Sequence, residues 1–142
     1  MRGVVRILTV VATATLCSCL APQNVEMVAV DMESWHSADS LVYENSDTLS
    51  LRQLNVAIRY NDNLKRGVLP LKIGVTTPDA RYYADTVALQ LHHPSTALAV
   101  ATTESLPYRS SVLLNQKGYY TFSFEPLEEV RGVEAIGIEI KN

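Results

Sequence analysis

Cysteine is nearly missing from this chain. Its 142 residues hold two, Cys17 and Cys19, both close to the start. Whatever folds after them does so without an internal disulfide, in any redox compartment. Long apolar runs are missing too. The longest stretch, Ile7 to Leu16, falls well short of the ~20 residues a membrane-crossing helix needs. There is no glycine-rich loop to cradle phosphate and no Cys/His spacing suited to zinc. Positive charge is in deficit, with 12 Lys and Arg against 15 Asp and Glu and a net charge of −3. That excludes the basic footprint of a nucleic-acid binder. Nearly half of the residues are hydrophobic, a proportion that belongs to a globular domain and not to a disordered chain.

What is present begins with a leader. Arg2 and Arg6 precede the apolar stretch Ile7–Leu16, and Leu16-Cys17-Ser18-Cys19 follows. A positive segment, a short apolar segment and a small residue before the cut form the layout of an export signal. The four residues resemble the lipobox of bacterial lipoproteins. There a nucleophilic thiol receives a diacylglyceryl group, and the peptidase needs a small residue before that cysteine. Cys-x-Cys as a metal or redox pair is the bland rival, but no other ligand cluster lies nearby. Lipid attachment is therefore expected at Cys19. Two or more acyl chains give stable anchoring where one is marginal. The expected division is residues 1–18 as signal peptide, 19–33 as lipidated cysteine and tether, and 34–142 as one domain. Losing Arg2 and Arg6 with the leader would take the charge from −3 to −5. The tether lacks an acidic run after Cys19. This favours a domain facing the periplasm.

Beyond the tether the hydrophobic period is two. Leu54, Val56, Ile58 and Tyr60 alternate with more polar or smaller residues, as do Leu69, Leu71, Ile73 and Val75. Val87, Leu89 and Leu91 repeat the pattern, followed by Tyr120, Phe122 and Phe124, then Ile136, Ile138 and Ile140. Such alternation marks half-buried strands. Asn61-Asp62-Asn63, Thr77-Pro78-Asp79, His93-Pro94-Ser95, Asn115–Gly118 and Arg131-Gly132 supply turns between them. Weaker strands are expected at Ser40–Glu44, Ala97–Thr102 and Arg109–Leu114. Pro70 cannot donate to a ladder, so its strand should start there or lie at an edge. Seven or eight strands with one apolar face each are best buried as two packed sheets. The fold class is all-β, an antiparallel sandwich of immunoglobulin-like or jelly-roll type.

The residue types that carry chemistry are thinly spread. His92 and His93 are adjacent, so on a strand they point to opposite faces and cannot share one metal ion. His36 stands in Trp35-His36-Ser37-Ala38-Asp39, where a polar loop with Trp35 as packing anchor is the plain reading. A triad is assembled from separated chain positions, and no nucleophile elbow is visible. Glu128 and Glu129 are neighbours on a loop, unlike glycosidase carboxylates facing each other across a cleft. Tyr82, Tyr83, Tyr108, Tyr119 and Tyr120 could form a platform for a glycan or another ligand if they clustered. More commonly such residues are half-buried cross-strand pairs. No enzymatic activity, cofactor or metal is called for.

In layout the chain resembles the gliding-motility lipoprotein GldH family of Bacteroidota. The resemblance starts with the lipobox at Cys19 and continues with Trp35-His36 before Asp39-Ser40-Leu41. It runs on through Leu54–Asn61, Asp85-Thr86-Val87 and Gly118–Phe122 to the C-terminal Arg131–Lys141. Between Leu91 and Tyr108 the chain departs from the family's glycine- and tryptophan-bearing stretch. The resemblance implies a non-enzymatic envelope lipoprotein, an accessory or scaffold of the gliding and secretion machinery. Its partners would be the membrane, through the lipid, and other envelope proteins. No catalytic residue comes with the family.

Overall fold

The computed structural model describes residues 24–92 and 101–142. These form eight strands: β1 (Asn24–Ala29), β2 (Asp39–Asn45), β3 (Leu51–Asn61), β4 (Val68–Thr76), β5 (Tyr82–Gln90), β6 (Ala101–Leu113), β7 (Gly118–Pro126) and β8 (Val133–Lys141). The alternation seen along the chain is the alternation of burial. Leu54, Val56, Ile58 and Tyr60 of β3 are at most 3% exposed, while Arg59 between them is open to solvent. Ile136 and Ile138 of β8 stand beside them on the same sheet, and Leu69, Leu71 and Ile73 of β4 face them with Phe122 and Phe124 of β7, all fully buried.

The strands pair antiparallel in two four-stranded sheets, in the orders β1-β8-β3-β6 and β2-β7-β4-β5. Successive strands change sheet at every step except the β4–β5 hairpin. That order is a jelly roll, so the immunoglobulin-like alternative is set aside. β1 lies against β2 and β7 against β8, which leaves β5 and β6 together on the opposite side.

Three expectations are corrected by long-range pairing. The tether read over 19–33 ends sooner, because Asn24–Ala29 pair residue by residue with Ile140–Ala135 of β8. The described parts of the two segments expected at Ala97–Thr102 and Arg109–Leu114, residues 101–102 and 109–113, belong to one strand, β6. Pro107 interrupts the signal there, and an edge strand tolerates it because one side of its backbone needs no partner. Pro70 lies in an interior strand, not an edge. It sits two residues into β4, just before pairing with β7 begins at Leu71, and pairs only with Ala88 of β5. The expected turn His93-Pro94-Ser95 and the residues Ala97–Val100 lie outside the described residues.

Trp35 closes one end of the sandwich. It is 1% exposed, exchanges two backbone hydrogen bonds of 2.9 Å with Val130, and donates from Nε1 to Asp39 at 2.8 Å. This is the packing anchor that the sequence suggested. On the outer face of the β1-β8-β3-β6 sheet, Gly137 pairs with Met27. A Cβ on Gly137 would run into the Glu26 carbonyl oxygen and the Met27 Cα. The missing side chain is what lets β1 lie so close.

Gly137→Ala is therefore expected to push β1 off β8 and to lower stability by about 1–3 kcal/mol, read from the urea midpoint. Phe122→Ala, in the fully buried centre, should cost about 3–5 kcal/mol by the same measurement.

Candidate functional site

The two ends of the sandwich are chemically different. Asn24 pairs with Ile140, Ile140 with Leu54, and Leu54 with Arg109. These four make a row across the sheet, about 14 Å from first to last at the usual strand spacing. The start of β1 is therefore level with Arg109. The same end carries the connections over 46–50, 77–81 and 114–117. The other end carries 30–38, 62–67 and 127–132, with Trp35 as its plug.

Between β5 and β6, at the Asn24 end, the sheets part around a cavity of about 350 Å³. Its walls are apolar: Leu54, Ile73, Val75, Val112, Leu114 and Phe122. Its rim is not: Tyr83 and Asp85 stand on β5, Tyr108 and Arg109 on β6. The Arg109 guanidinium is bonded to Asp85 through Nη2, and its Cζ lies 5.4 Å from the centre of the Tyr108 ring.

A bulge delivers these rim residues. β6 pairs with β3 in register up to Pro107↔Asn55, then shifts before Arg109↔Leu54 and again before Val112↔Arg52. Ser111 adopts φ 56° within it, a conformation that few side chains accept. In a regular strand Tyr108 and Arg109 would point to opposite faces. With the extra residue both line the cavity. Bulges commonly re-aim side chains in this way.

A second polar feature lies on the outer face of the other sheet. Glu139, 5% exposed, accepts from Asn55 Nδ2 at 3.0 Å and from the Ser105 hydroxyl, with Lys141 Nζ at 3.5 Å. Gln53 in turn donates to Asn55 Oδ1 at 3.0 Å. Burial works against the charge of Glu139. The Ser105 and Asn55 hydrogen bonds and the Lys141 ammonium outweigh it, and the carboxyl titrates below its ordinary value of 4.5. The three strands β6, β3 and β8 are thereby tied across their outer face.

The residues singled out from the sequence are dispersed. Cys19, the expected lipid-attachment site, lies outside the described residues, as do Cys17, the leader and His93. His36 is exposed at the Trp35 end, with Nδ1 2.8 Å from the Ser34 carbonyl oxygen and 3.4 Å from the Ser34 hydroxyl. A carbonyl only accepts, so Nδ1 carries the proton there and is no base for that hydroxyl. Ser34 donates instead to Glu129 at 2.7 Å. Glu128 turns the other way and pairs with Arg66 at 2.6 Å. His92 is open to solvent with Nδ1 3.4 Å from Glu104. Among the described residues no three His, Cys, Asp or Glu side chains group as a metal set.

The tyrosines split into three settings. Tyr120 is buried and its hydroxyl accepts from the Gln116 amide at 3.1 Å. Tyr83 and Tyr108 flank the cavity. Tyr82 and Tyr119, 57% and 62% exposed, sit on the outer face of the β2-β7-β4-β5 sheet. They form no single concave platform. The cavity rim and the Glu139 cluster escaped the sequence reading. In sequence Arg109 falls in a weak strand whose faces carry no clear pattern, and Glu139 looks like any outward residue between Ile138 and Ile140.

Compared with known protein families, residues 24–140 match the one described as GldH lipoprotein. The matched span is the sandwich itself, from the first residue of β1 to the next-to-last of β8. No curated protein matched the chain.

The Glu139 cluster has a pH signature. The folded carboxyl titrates below the unfolded one. Its contribution is therefore complete above about pH 4.5 and drains away as pH falls through the folded value. Glu139→Gln should cost about 1–3 kcal/mol at pH 7, and the gap to the parent should narrow by pH 3.5. Urea titrations at the two pH values decide it, and an unchanged gap would count against the charged cluster.

Proposed function

This chain belongs to the GldH lipoprotein family, and on that premise we propose that it is a lipid-anchored, non-enzymatic accessory of an envelope machine for gliding or secretion. The observation that carries the reading is where the sandwich begins. The family match starts at Asn24, the first residue of β1, five residues after the cysteine that resembles a lipidation site. Five residues reach at most about 18 Å. An acylated Cys19 would hold the Asn24 end of the sandwich against the membrane and turn the Trp35 end away from it.

The outward end then becomes the face offered to partners. It exposes Met32 and Leu127, each about half accessible, among the ion pairs Arg131–Glu33 at 2.8 Å and Arg66–Glu128 at 2.6 Å. Apolar patches rimmed by charge suit protein contact. The mechanism is confinement: an anchored domain meets a membrane-bound partner at a raised effective concentration. A non-enzymatic role is in keeping with the dispersal of the candidate groups: the Ser34 hydroxyl donates to Glu129, Glu128 pairs with Arg66, and His92 stands beside Glu104. A periplasm-facing domain is favoured by the lack of an acidic run just after Cys19.

Mass spectrometry of the natural product is expected to find Cys19 as the first residue, carrying acyl and glyceryl groups. Cys19→Ser should abolish that species and leave the chain with its leader uncut. A free thiol at Cys19 in the parent would overturn the anchor. A photo-crosslinking amino acid at Leu127 should capture an envelope protein, and the same group at Lys117 should capture lipid. The reverse pattern would overturn the orientation.

A further inference from the structure

We propose that the cavity between β5 and β6 binds one long-chain carboxylate taken from the membrane, its aliphatic chain among the apolar walls and its carboxylate on Arg109. The apolar walls make it a poor site for water, and apolar cavities take apolar guests in preference. At about 350 Å³ it lies at the small end of ligand pockets. It has room for one chain and not for the two of a diacyl lipid.

The rim supplies the second half of the ligand's chemistry. Arg109 is the cation at the mouth, and it engages Asp85 through one terminal nitrogen. A guanidinium has five N–H donors in a fixed fork that suits a carboxylate. Tyr83 and Tyr108 flank it with rings that can cover the first carbons of a chain. The rim is built, in that the β6 bulge turns two consecutive residues, Tyr108 and Arg109, to the same side. A regular strand would send Arg109 to the face opposite Tyr108.

Position supplies the source. Arg109 is in the row that begins at Asn24, so the mouth opens at the end that an acylated Cys19 would hold at the bilayer. The source of the ligand rests on the anchoring reading above; the cavity and its rim do not.

The test uses the lipidated full chain in phosphatidylcholine vesicles doped with a diazirine-bearing hexadecanoate. Irradiation is expected to label the peptides holding Tyr83–Asp85 and Tyr108–Leu114. Val112→Trp, which fills the cavity, should lower that labelling at least tenfold with the melting temperature retained. Val75→Phe serves the same purpose if that variant does not fold. Arg109→Gln should cut labelling by the acid about tenfold and leave labelling by the matching diazirine alcohol within twofold.

Label placed elsewhere, or unchanged in both filled variants, would overturn the cavity. Equal loss of acid and alcohol in Arg109→Gln would overturn carboxylate recognition. If the chain proves unacylated it will not float with vesicles. The same probe is then applied in solution: labelling at Tyr83 and Arg109 sustains the site while the anchor reading fails, and its absence there defeats the site as well.

Discussion

The pressing together of two apolar sheet faces is the interaction on which the rest of this molecule depends. No disulfide helps it, since the only cysteines precede the sandwich. Each fully buried side chain, such as Ile58, Leu71, Phe122 or Ile138, contributes about 1.5–3 kcal/mol by leaving water. That burial must offset the ordering of every residue in eight strands. Two polar side chains enter it and are paired only in part, Asn45 Oδ1 and Arg52 Nε having no hydrogen-bond partner among the described residues. Asn45, 1% exposed, gives both its amide hydrogens to the carbonyls of Leu114 and Gln116 at 2.9 Å. Arg52, 5% exposed, reaches the Tyr43 hydroxyl at 2.8 Å and Asp47 at 3.3 Å. The Tyr60 hydroxyl, donating to the His92 carbonyl at 2.6 Å, has its pKa pushed up to about 12 by burial and by Glu104.

Jelly-roll connectivity then decides what stands at each end. Because β1 and β8 pair with each other, the start of β1 and the end of β8 lie side by side. That pairing is close only because Gly137 has no side chain. The end so defined also holds a place where the apolar faces part, between the edge strands β5 and β6. The opposite end is sealed by Trp35 and decorated with charge. An anchored molecule built this way would have a lipid-facing end and a partner-facing end without any moving part.

Much of the architecture was legible from side-chain period alone. Leu54–Tyr60, Leu69–Val75 and Tyr120–Phe124 declared their buried faces, because alternation in sequence and alternation in space are one fact for a strand. Trp35 was legible as an anchor because a lone tryptophan in a polar loop has to bury its ring somewhere. Other elements were opaque for equally physical reasons. β6 was split by Pro107, whose cost depends on whether the strand has neighbours on one side or two. β1 reads as tether, since Asn24–Ala29 is held by its partner β8 more than by its own pattern. Glu139 resembled a solvated residue, and only the juxtaposition of Asn55 and Ser105 on two other strands buries it with its charge kept.

From its own residues, the chain determined that it would be all-β, cysteine-free beyond its first segment, and marked at Cys19 by a pattern that resembles a lipidation site. Those properties are local: composition, a period of two, and four consecutive residues. Strand order, the bulge that brings Tyr108 and Arg109 together, the cavity they guard and the end of the sandwich on which it opens were decided only by tertiary structure. The reason is that pairing joins residues far apart in sequence, Asn24 with Ile140 and Leu54 with Arg109. Many registers satisfy the same alternation, and packing of the whole selects one.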